Sequence, residues 1–180
     1  MLNLSLNDLM DYTDWERQKW HNWLLQHGEQ ALKISAGPHG DGRFGTVGEL
    51  VRHIFSSEKR YVERLSDRSL TDTGSVPNDN IEALFRLGRQ SRTELKEFVE
   101  TFPAQDWDTL KDFKILSYSL KATPKKIVVH GLMHEIRHWA QIATLFRLNG
   151  LAGEFHDFLF SPVMGGEFGS DQSNIGAQSK

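Results

Sequence analysis

The 180-residue chain contains no cysteine and no long apolar run, and each absence narrows its possible chemistry. Without cysteine there is no disulfide, no thiol nucleophile and no thiolate ligand, so any metal site must use histidine and carboxylate side chains. Asp8 interrupts the N-terminal apolar residues too early for a signal peptide, and no later stretch approaches a membrane span. These features predict a cytoplasmic protein that does not bind membranes.

The chain also lacks an excess of positive charge. It has 21 basic and 24 acidic residues, a net charge of −3, and no tract or periodic stripe of lysine and arginine. Binding to DNA or RNA depends strongly on such basic surfaces, so the composition argues against a nucleic-acid partner. The length and the 38% content of hydrophobic residues indicate one soluble domain with a sizeable core.

Four segments show the three- to four-residue spacing of apolar residues that is typical of amphipathic helices. They run from about residue 6 to 27, from 46 to 65, from 79 to 101 and from 123 to 149. The second segment begins with a predicted capping box formed by Thr46 and Glu49. The fourth begins with Thr123 as N-cap and Pro124 at the first helical position, and Gly150 ends it.

The segment between the last two helices is harder to assign. Residues 114–122, KILSYSLKA, alternate over a few positions and fit a short strand or an extended crossover. Four helices joined by one long crossover predict an all-α four-helix bundle over residues 1–160. Residues 161–180 are mostly small and polar and predict a flexible C-terminal tail.

Three of the eight histidines lie on one narrow face of the fourth helix. His130, His134 and His138 follow at four-residue intervals, and Gln141 continues the stripe, because each helical residue advances about 100°. Isolated histidines inside a bundle usually bond to neighbouring groups, but three stacked imidazoles need many buried partners. A divalent cation is a common partner in such bundles, so the stripe predicts a metal site.

Helix geometry limits how many of these histidines can share one ion. His130 and His138 are separated by about 12 Å along the axis, too far for bonds of about 2.0–2.1 Å to the same metal. One helix therefore supplies two ligands, and a third must come from another part of the chain. Three protein ligands leave a coordination position open for water or substrate.

The residues His134, Glu135 and His138 also match the HExxH motif of zinc proteases, in which the glutamate is a general base. The motif needs a third ligand, and residues 139–150 contain no histidine. Glu154 is a possible carboxylate ligand, but no strand-rich region is evident to bind a peptide. A zinc protease is therefore the less favoured hypothesis.

The longer stretch ATPKKIVVHGLMHEIRHWAQIATLF, residues 122–146, resembles the last helix of the DinB/YfiT-like family of metal-binding four-helix proteins. That helix typically has TP followed by H-V-V-N-H-x-x-x-H-R-G-Q. Residues 9–20, LMDYTDWERQKW, are similar to the first-helix signature Y-x-x-W-x-N, and residues 50–65 to the second-helix signature H-I-x-x-x-E-x-x-x-L. GLAGEFHDFLF, residues 150–160, is similar to the stretch after the last helix. The resemblance covers nearly all of residues 1–160.

The resemblance implies a metal held by His53, His134 and His138, with Zn²⁺ or Ni²⁺ as the ion. The residues alone leave His53 open, because it lies off the centre of its helix's apolar face and a surface position fits equally well. The resemblance also makes Glu135 an incidental neighbour of the site. Trp139 and Ala140 stand where the family often has Arg-Gly, a change that affects pocket shape without removing a ligand.

Three further residues are candidates for roles around the metal. His130 lies one turn before His134, and Gln141 lies one turn beyond His138, where it could bond to a metal-bound ligand or support the bundle. Glu58 falls on the core-facing side of the second helix, where a carboxylate is paired, orients an imidazole, or lies at the bundle rim. The four remaining histidines are predicted to be surface or loop residues: His21, His27, His39 and His156.

Known relatives in this family include thiol S-transferases that use bacillithiol or mycothiol, and mycothiol-dependent isomerases. The resemblance thus implies a metal-dependent enzyme that transfers a low-molecular-weight thiol to a small molecule, or a hydrolase. It also favours a homodimer. The alternative from another class is a non-catalytic bundle that serves in binding or in a stress response, with a structural metal or none.

Overall fold

A computed structural model describes residues 3–37, 42–115, 117–153 and 156–165, and these form a four-helix bundle with one small hairpin. The helices are α1 (Leu6–His27), α2 (Val47–Leu65), α3 (Ile81–Thr101) and α4 (Pro124–Leu148). The hairpin pairs β1 (Lys111–Ile115) with β2 (Tyr118–Ala122) in antiparallel register. This confirms the predicted all-α class. None of the described helices has both the length and the apolar composition of a membrane span.

Each helix packs closely against two others. α2 contacts α3 and α4, and α1 contacts α4 and α3. α1 and α2 therefore face each other across the diagonal of the bundle, as do α3 and α4. The connections from α1 to α2 and from α3 to α4 both cross the bundle as a result. The direct packing of α2 on α4 is what brings their histidines together.

The helix starts follow local capping chemistry. Thr123 caps α4, and its side chain accepts the Lys126 N–H at 3.2 Å, as predicted. α1 starts with a full capping box that the periodicity did not identify. Ser5 Oγ accepts the Asp8 N–H at 3.1 Å, and the Ser5 N–H donates to Asp8 Oδ2 at 2.7 Å.

At α2 the predicted capping box is only half formed. Thr46 Oγ1 accepts the Glu49 N–H at 3.3 Å, but the Glu49 carboxylate accepts the Gly45 N–H at 2.7 Å instead of the Thr46 amide. Thr46 also forms an isolated antiparallel bridge with Ser35. This bridge holds the backbone before α2 in an extended conformation. The Glu49 carboxylate therefore accepts from the Gly45 N–H and not from the Thr46 N–H.

The hairpin replaces the single short strand or crossover that the alternation suggested. Residues 114–122 include the end of β1 and all of β2, so one alternating segment covers parts of two strands. Phe113 of β1 and Ala122 of β2 are buried. They pack into the same apolar cluster as Tyr61 of α2 and Ile127 of α4, which anchors the hairpin to the bundle.

Buried apolar residues form two cores, one toward each end of the bundle. The larger core is rich in aromatic side chains and includes Trp20, Trp23, Phe55, Phe85, Trp139 and Phe146. The smaller one includes Met10, Val62, Leu65, Leu95, Phe98 and Leu132. Between the two cores every helix contributes at least one buried charged residue: Arg17 from α1, Glu58 from α2, Arg92 from α3 and Glu135 from α4. We call these four residues the charged layer.

Candidate metal centre

Three histidines from two helices point their ring nitrogens at one another. His134 Nε2 of α4 lies 3.1 Å from His53 Nε2 of α2 and 3.1 Å from His138 Nε2 of α4. One ligand atom from each residue lies within 4.8 Å of the others. His134 and His138 are buried, and His53 is half-buried. The alternative that His53 is a surface residue facing solvent is therefore wrong, because its imidazole faces α4.

The three nitrogens fit a divalent cation. Two ligands bound at about 2.0–2.1 Å with a tetrahedral angle are separated by about 3.3 Å, close to the observed spacing. A neutral imidazole has one N–H and one lone pair, so three Nε2 atoms that meet at one point cannot all be satisfied by one another. A cation accepts all three lone pairs at once. This group could therefore hold a metal ion.

The outward-facing nitrogens of two of these rings have hydrogen-bond partners. His138 Nδ1 lies 2.9 Å from Gln141 Oε1, and His53 Nδ1 lies 3.3 Å from Ser57 Oγ. When Nδ1 carries the proton, each ring donates outward and keeps its Nε2 lone pair for the cluster. Gln141 thus contacts the imidazole itself. Ser57 was missed by the sequence analysis, although it lies one helical turn after His53.

His130 lies beside the group and does not belong to it. It is exposed, and its ring centroid lies 5.6 Å from that of Tyr61 and 5.8 Å from that of His134. Burial lowers the pKa of His130, and the charge of Arg137 adds to this. Its predicted supporting role is limited to these ring contacts.

Glu58 is buried and paired, but its partners are not histidines. Its carboxylate accepts hydrogen bonds from Arg92 Nη2 at 2.9 Å and Ser91 Oγ at 2.9 Å, and lies 3.0 Å from Arg17 Nη2. Five residues beyond His53, it is rotated by about 140° around α2 and faces the bundle axis. Glu58 is therefore a paired carboxylate, and the alternatives that it orients an imidazole or lies at the bundle rim are wrong.

Glu135 is also turned away from the three histidines. Its carboxylate accepts a bidentate pair of hydrogen bonds from Arg17, at 2.5 and 2.7 Å. Arg92 Nη2 at 3.0 Å and Trp139 Nε1 at 3.1 Å complete the set. A carboxylate held by two arginines is not placed to act as a base at the histidine group. Glu135 is therefore neither a protease base nor an incidental neighbour, but a member of the charged layer.

A pocket of about 340 Å³ opens beside His53, and its charge is mainly positive. Among the described residues, three arginines line it, Arg43, Arg52 and Arg60, against one carboxylate, Glu49. Arg52 donates only to backbone carbonyls, at 2.9 and 3.2 Å, so its described hydrogen bonds leave its charge uncompensated. These arginines form no basic stripe in the sequence, because they come together from α2 and the loop before it.

The other predicted histidines lie apart from the group. His21 Nε2 contacts Glu82 Oε1 at 3.0 Å, and His27 Nδ1 contacts the Trp23 carbonyl at 2.8 Å. His156 is half-buried against Glu16. His39, Glu154 and the tail residues 166–180 lie outside the described residues, so the statements about them stay predictions.

The environment of His134 favours the neutral imidazole. Burial, followed by the neighbouring rings of His138 and His53 and the charge of Arg137, lowers the pKa of His134 to about 2. The side chain thus keeps its lone pair at neutral pH, which is the form that binds metals.

This depressed pKa predicts an acid-dependent loss of stability in the metal-free protein. The unfolded chain binds a proton at His134 below its ordinary pKa of 6.5, whereas the folded chain does so only near 2. The free energy of unfolding should therefore fall as the pH drops below 6.5, by up to about 1.4 kcal/mol per pH unit from this residue. Urea unfolding between pH 7.5 and 5 measures this slope.

The matched control replaces an exposed imidazole with the same change. His134→Asn should flatten the slope, whereas His130→Asn should leave most of it. Equal slopes in wild type and His134→Asn would contradict the prediction.

The sequence of the chain matches the model of one known protein family. The model of the DinB family matches residues 1–167 of the chain. A comparison with curated proteins finds no significant match.

Proposed function

The chain belongs to the DinB family, and from this premise we propose that it is a metal-dependent enzyme that transfers a low-molecular-weight thiol to a small molecule. The observation that carries the proposal is the group of three histidines at the edge of a positively charged pocket. Metal-assisted hydrolysis of a small molecule is the related activity that the same site supports.

The three histidines would hold the ion, and nitrogen ligands without thiolate suit Zn²⁺ and Ni²⁺. A bound divalent ion lowers the pKa of a coordinated thiol or water and so supplies a nucleophile near neutral pH. Gln141 and Ser57 fix the orientation of the His138 and His53 rings. Phe44, whose ring centroid lies 4.5 Å from that of His53, shields this imidazole from water on the pocket side.

The positive pocket indicates which thiols fit. Arg52 and Arg60 are half-buried, so their guanidinium groups are partly desolvated and attract carboxylate or phosphate groups strongly. We therefore propose an anionic thiol as the donor. In the transfer, the thiol proton leaves to solvent, the sulfur forms a bond to an electrophilic carbon, and the leaving group departs with the electron pair of the broken bond.

The test combines metal loading with a pair of matched thiols. The purified protein is stripped with EDTA, reloaded with Zn²⁺, Ni²⁺ or Mn²⁺, and assayed for conjugation of thiols to an aromatic chloride. Cysteine and cysteamine differ only in the carboxylate. The expected result is a rate that requires Zn²⁺ or Ni²⁺, with a lower KM for cysteine than for cysteamine. Arg52→Gln should raise the KM for cysteine about tenfold and leave that for cysteamine unchanged.

The competing functions predict different outcomes. A structural metal would raise the melting temperature without any conjugation or hydrolysis, and this result would favour the non-catalytic stress-response bundle. A zinc protease is disfavoured by the position of Glu135, which is held by Arg17 and faces away from the three histidines. The homodimer and the cytoplasmic location stay predictions, for which gel filtration and cell fractionation are the measurements.

A further inference from the structure

A second and larger cavity lies on the face of α4 opposite to the histidines. It has a volume of about 810 Å³, and α4 contributes Ile136 and Ala140 to its wall. These residues are rotated by about 120–160° from His134 and His138 around the helix. The remaining wall is largely apolar and includes Leu4, Leu9, Phe158 and Met164. The cavity is therefore separate from the proposed metal centre.

One buried carboxylate at this cavity lacks a complete set of partners. Glu16 lines the cavity and is only 1% exposed. Its Oε1 lies 3.3 Å from His156 Nδ1, whereas Oε2 forms no complete hydrogen bond with the described residues, and the neighbouring donor Trp20 Nε1 is likewise without a formed partner. A buried carboxylate oxygen without a donor is costly, by about 1–3 kcal/mol or more. Burial raises the pKa of Glu16, although the His156 and Trp20 side chains act in the opposite direction as hydrogen-bond donors.

Tyr12, one helical turn before Glu16, links this part of the wall to the segment after α4. Tyr12 donates its hydroxyl to the His156 carbonyl at 3.0 Å, and the Tyr12 and Phe158 ring centroids are 5.1 Å apart. These contacts fix the segment after α4 against α1 and form one wall of the cavity. Tyr12 OH is thereby used as a donor elsewhere and is not available to Glu16.

We propose that this cavity binds a small apolar amine, whose ammonium group donates to Glu16 Oε2 while its hydrocarbon part lies against the apolar wall. An ammonium group supplies only donors and a positive charge, which is what a buried carboxylate needs. Arg147 also lines the cavity, but it is exposed and donates to Thr144 Oγ1 at 3.1 Å. Asp157 is a second carboxylate on the wall, but it is exposed. Among the described wall residues Glu16 is thus the buried charged group, and both carboxylates favour a cation.

The proposal is tested with three probes of equal chain length on the full-length protein. Octylamine, octanol and octanoate are titrated below their micelle concentrations and followed by calorimetry and by tryptophan fluorescence, to which Trp20 contributes, its ring lying 4.9 Å from that of His156. Octylamine is expected to bind at least about tenfold more tightly than the other two. Equal binding of octylamine and octanoate, or no binding of octylamine, would overturn the proposal.

Two variants and one control distinguish the contribution of the Glu16 carboxylate to binding from that of the cavity as a whole. Glu16→Gln should remove the preference for octylamine over octanol, whereas Glu97→Gln, which deletes an exposed charge on α3, should keep it. Ala140→Phe adds a ring at a cavity wall position and should weaken binding of every probe. None of these changes should alter the metal content, so a failure here is distinguishable from a failure of the proposed enzyme. An amine preference that survives Glu16→Gln would contradict the assignment.

Discussion

Replacement of His134 by alanine is expected to abolish stoichiometric metal binding. His134 Nε2 is the atom that lies 3.1 Å from both other ring nitrogens, so its loss leaves two ligands from different helices. Two imidazoles alone form an incomplete site, and the bound metal should fall from about one ion per chain to less than about 0.1 after dialysis. Elemental analysis of the purified, reloaded protein measures this ratio.

The matched control lies one turn away on the same helix. His130→Ala removes an imidazole of the same type, but His130 is exposed and contacts the group only through its ring. It should keep about one ion per chain. Circular dichroism checks that both variants are folded. Full metal content in His134→Ala, or an equal loss in both variants, would contradict the assignment.

Breaking the charged layer is expected to have the largest effect on stability. Arg92 donates to Glu58 at 2.9 Å and to Glu135 at 3.0 Å, and it is 5% exposed. Although burial by itself would raise the pKa of Glu58, Arg17 and Arg92 hold it below its ordinary value. Arg92→Met leaves this buried negative charge short of a partner. The free energy of unfolding should fall by about 3–5 kcal/mol, measured by urea unfolding.

A double-mutant cycle distinguishes lost pairing from lost packing. If the pair is the cause, Arg92→Met combined with Glu58→Met should cost clearly less than the sum of the two single changes. Arg89→Met is the control on the same helix, because its ion pair with Glu82 at 3.6 Å is exposed and should contribute less than about 1 kcal/mol. Additive single and double effects would show that the charges are not coupled.

The sequence predicted the helices well because their information is local. The spacing of apolar residues predicted α1 at residues 6–27, the capping pair Thr123 and Pro124 predicted the start of α4, and the structure has both. The hairpin was only partly predicted. Its first strand has little alternation, and the pairing of Phe113 with Leu120 depends on a turn that composition does not mark clearly.

Some of the metal-site residues could likewise be predicted from local sequence, and others could not. His134 and His138 follow from the period of one helix, whereas His53 depends on the packing of α2 against α4, which periodicity does not contain. His53 was identified only through the family resemblance. Ser57 was missed although its four-residue spacing from His53 is visible in the sequence. The positive pocket was missed because its arginines come together from α2 and the loop before it.

The charged layer was missed for a different reason. Charged residues on a helix normally lie on its solvated face, so Arg17 and Arg92 gave no signal in the sequence. Glu58 and Glu16 did fall at apolar-face positions, and this was the available sign that charge lies inside the bundle. Their partners come from other helices, as Arg17 does for Glu135 over a separation of 118 residues. Such pairs require the three-dimensional arrangement.

The most direct test of the metal centre is anomalous X-ray scattering from crystals of the Zn²⁺-loaded protein, recorded on both sides of the zinc absorption edge. The account predicts one strong anomalous peak per chain, about 2.0–2.1 Å from a ring nitrogen of each of His53, His134 and His138. The absence of a peak between these three residues, or a peak held by other side chains, would contradict it.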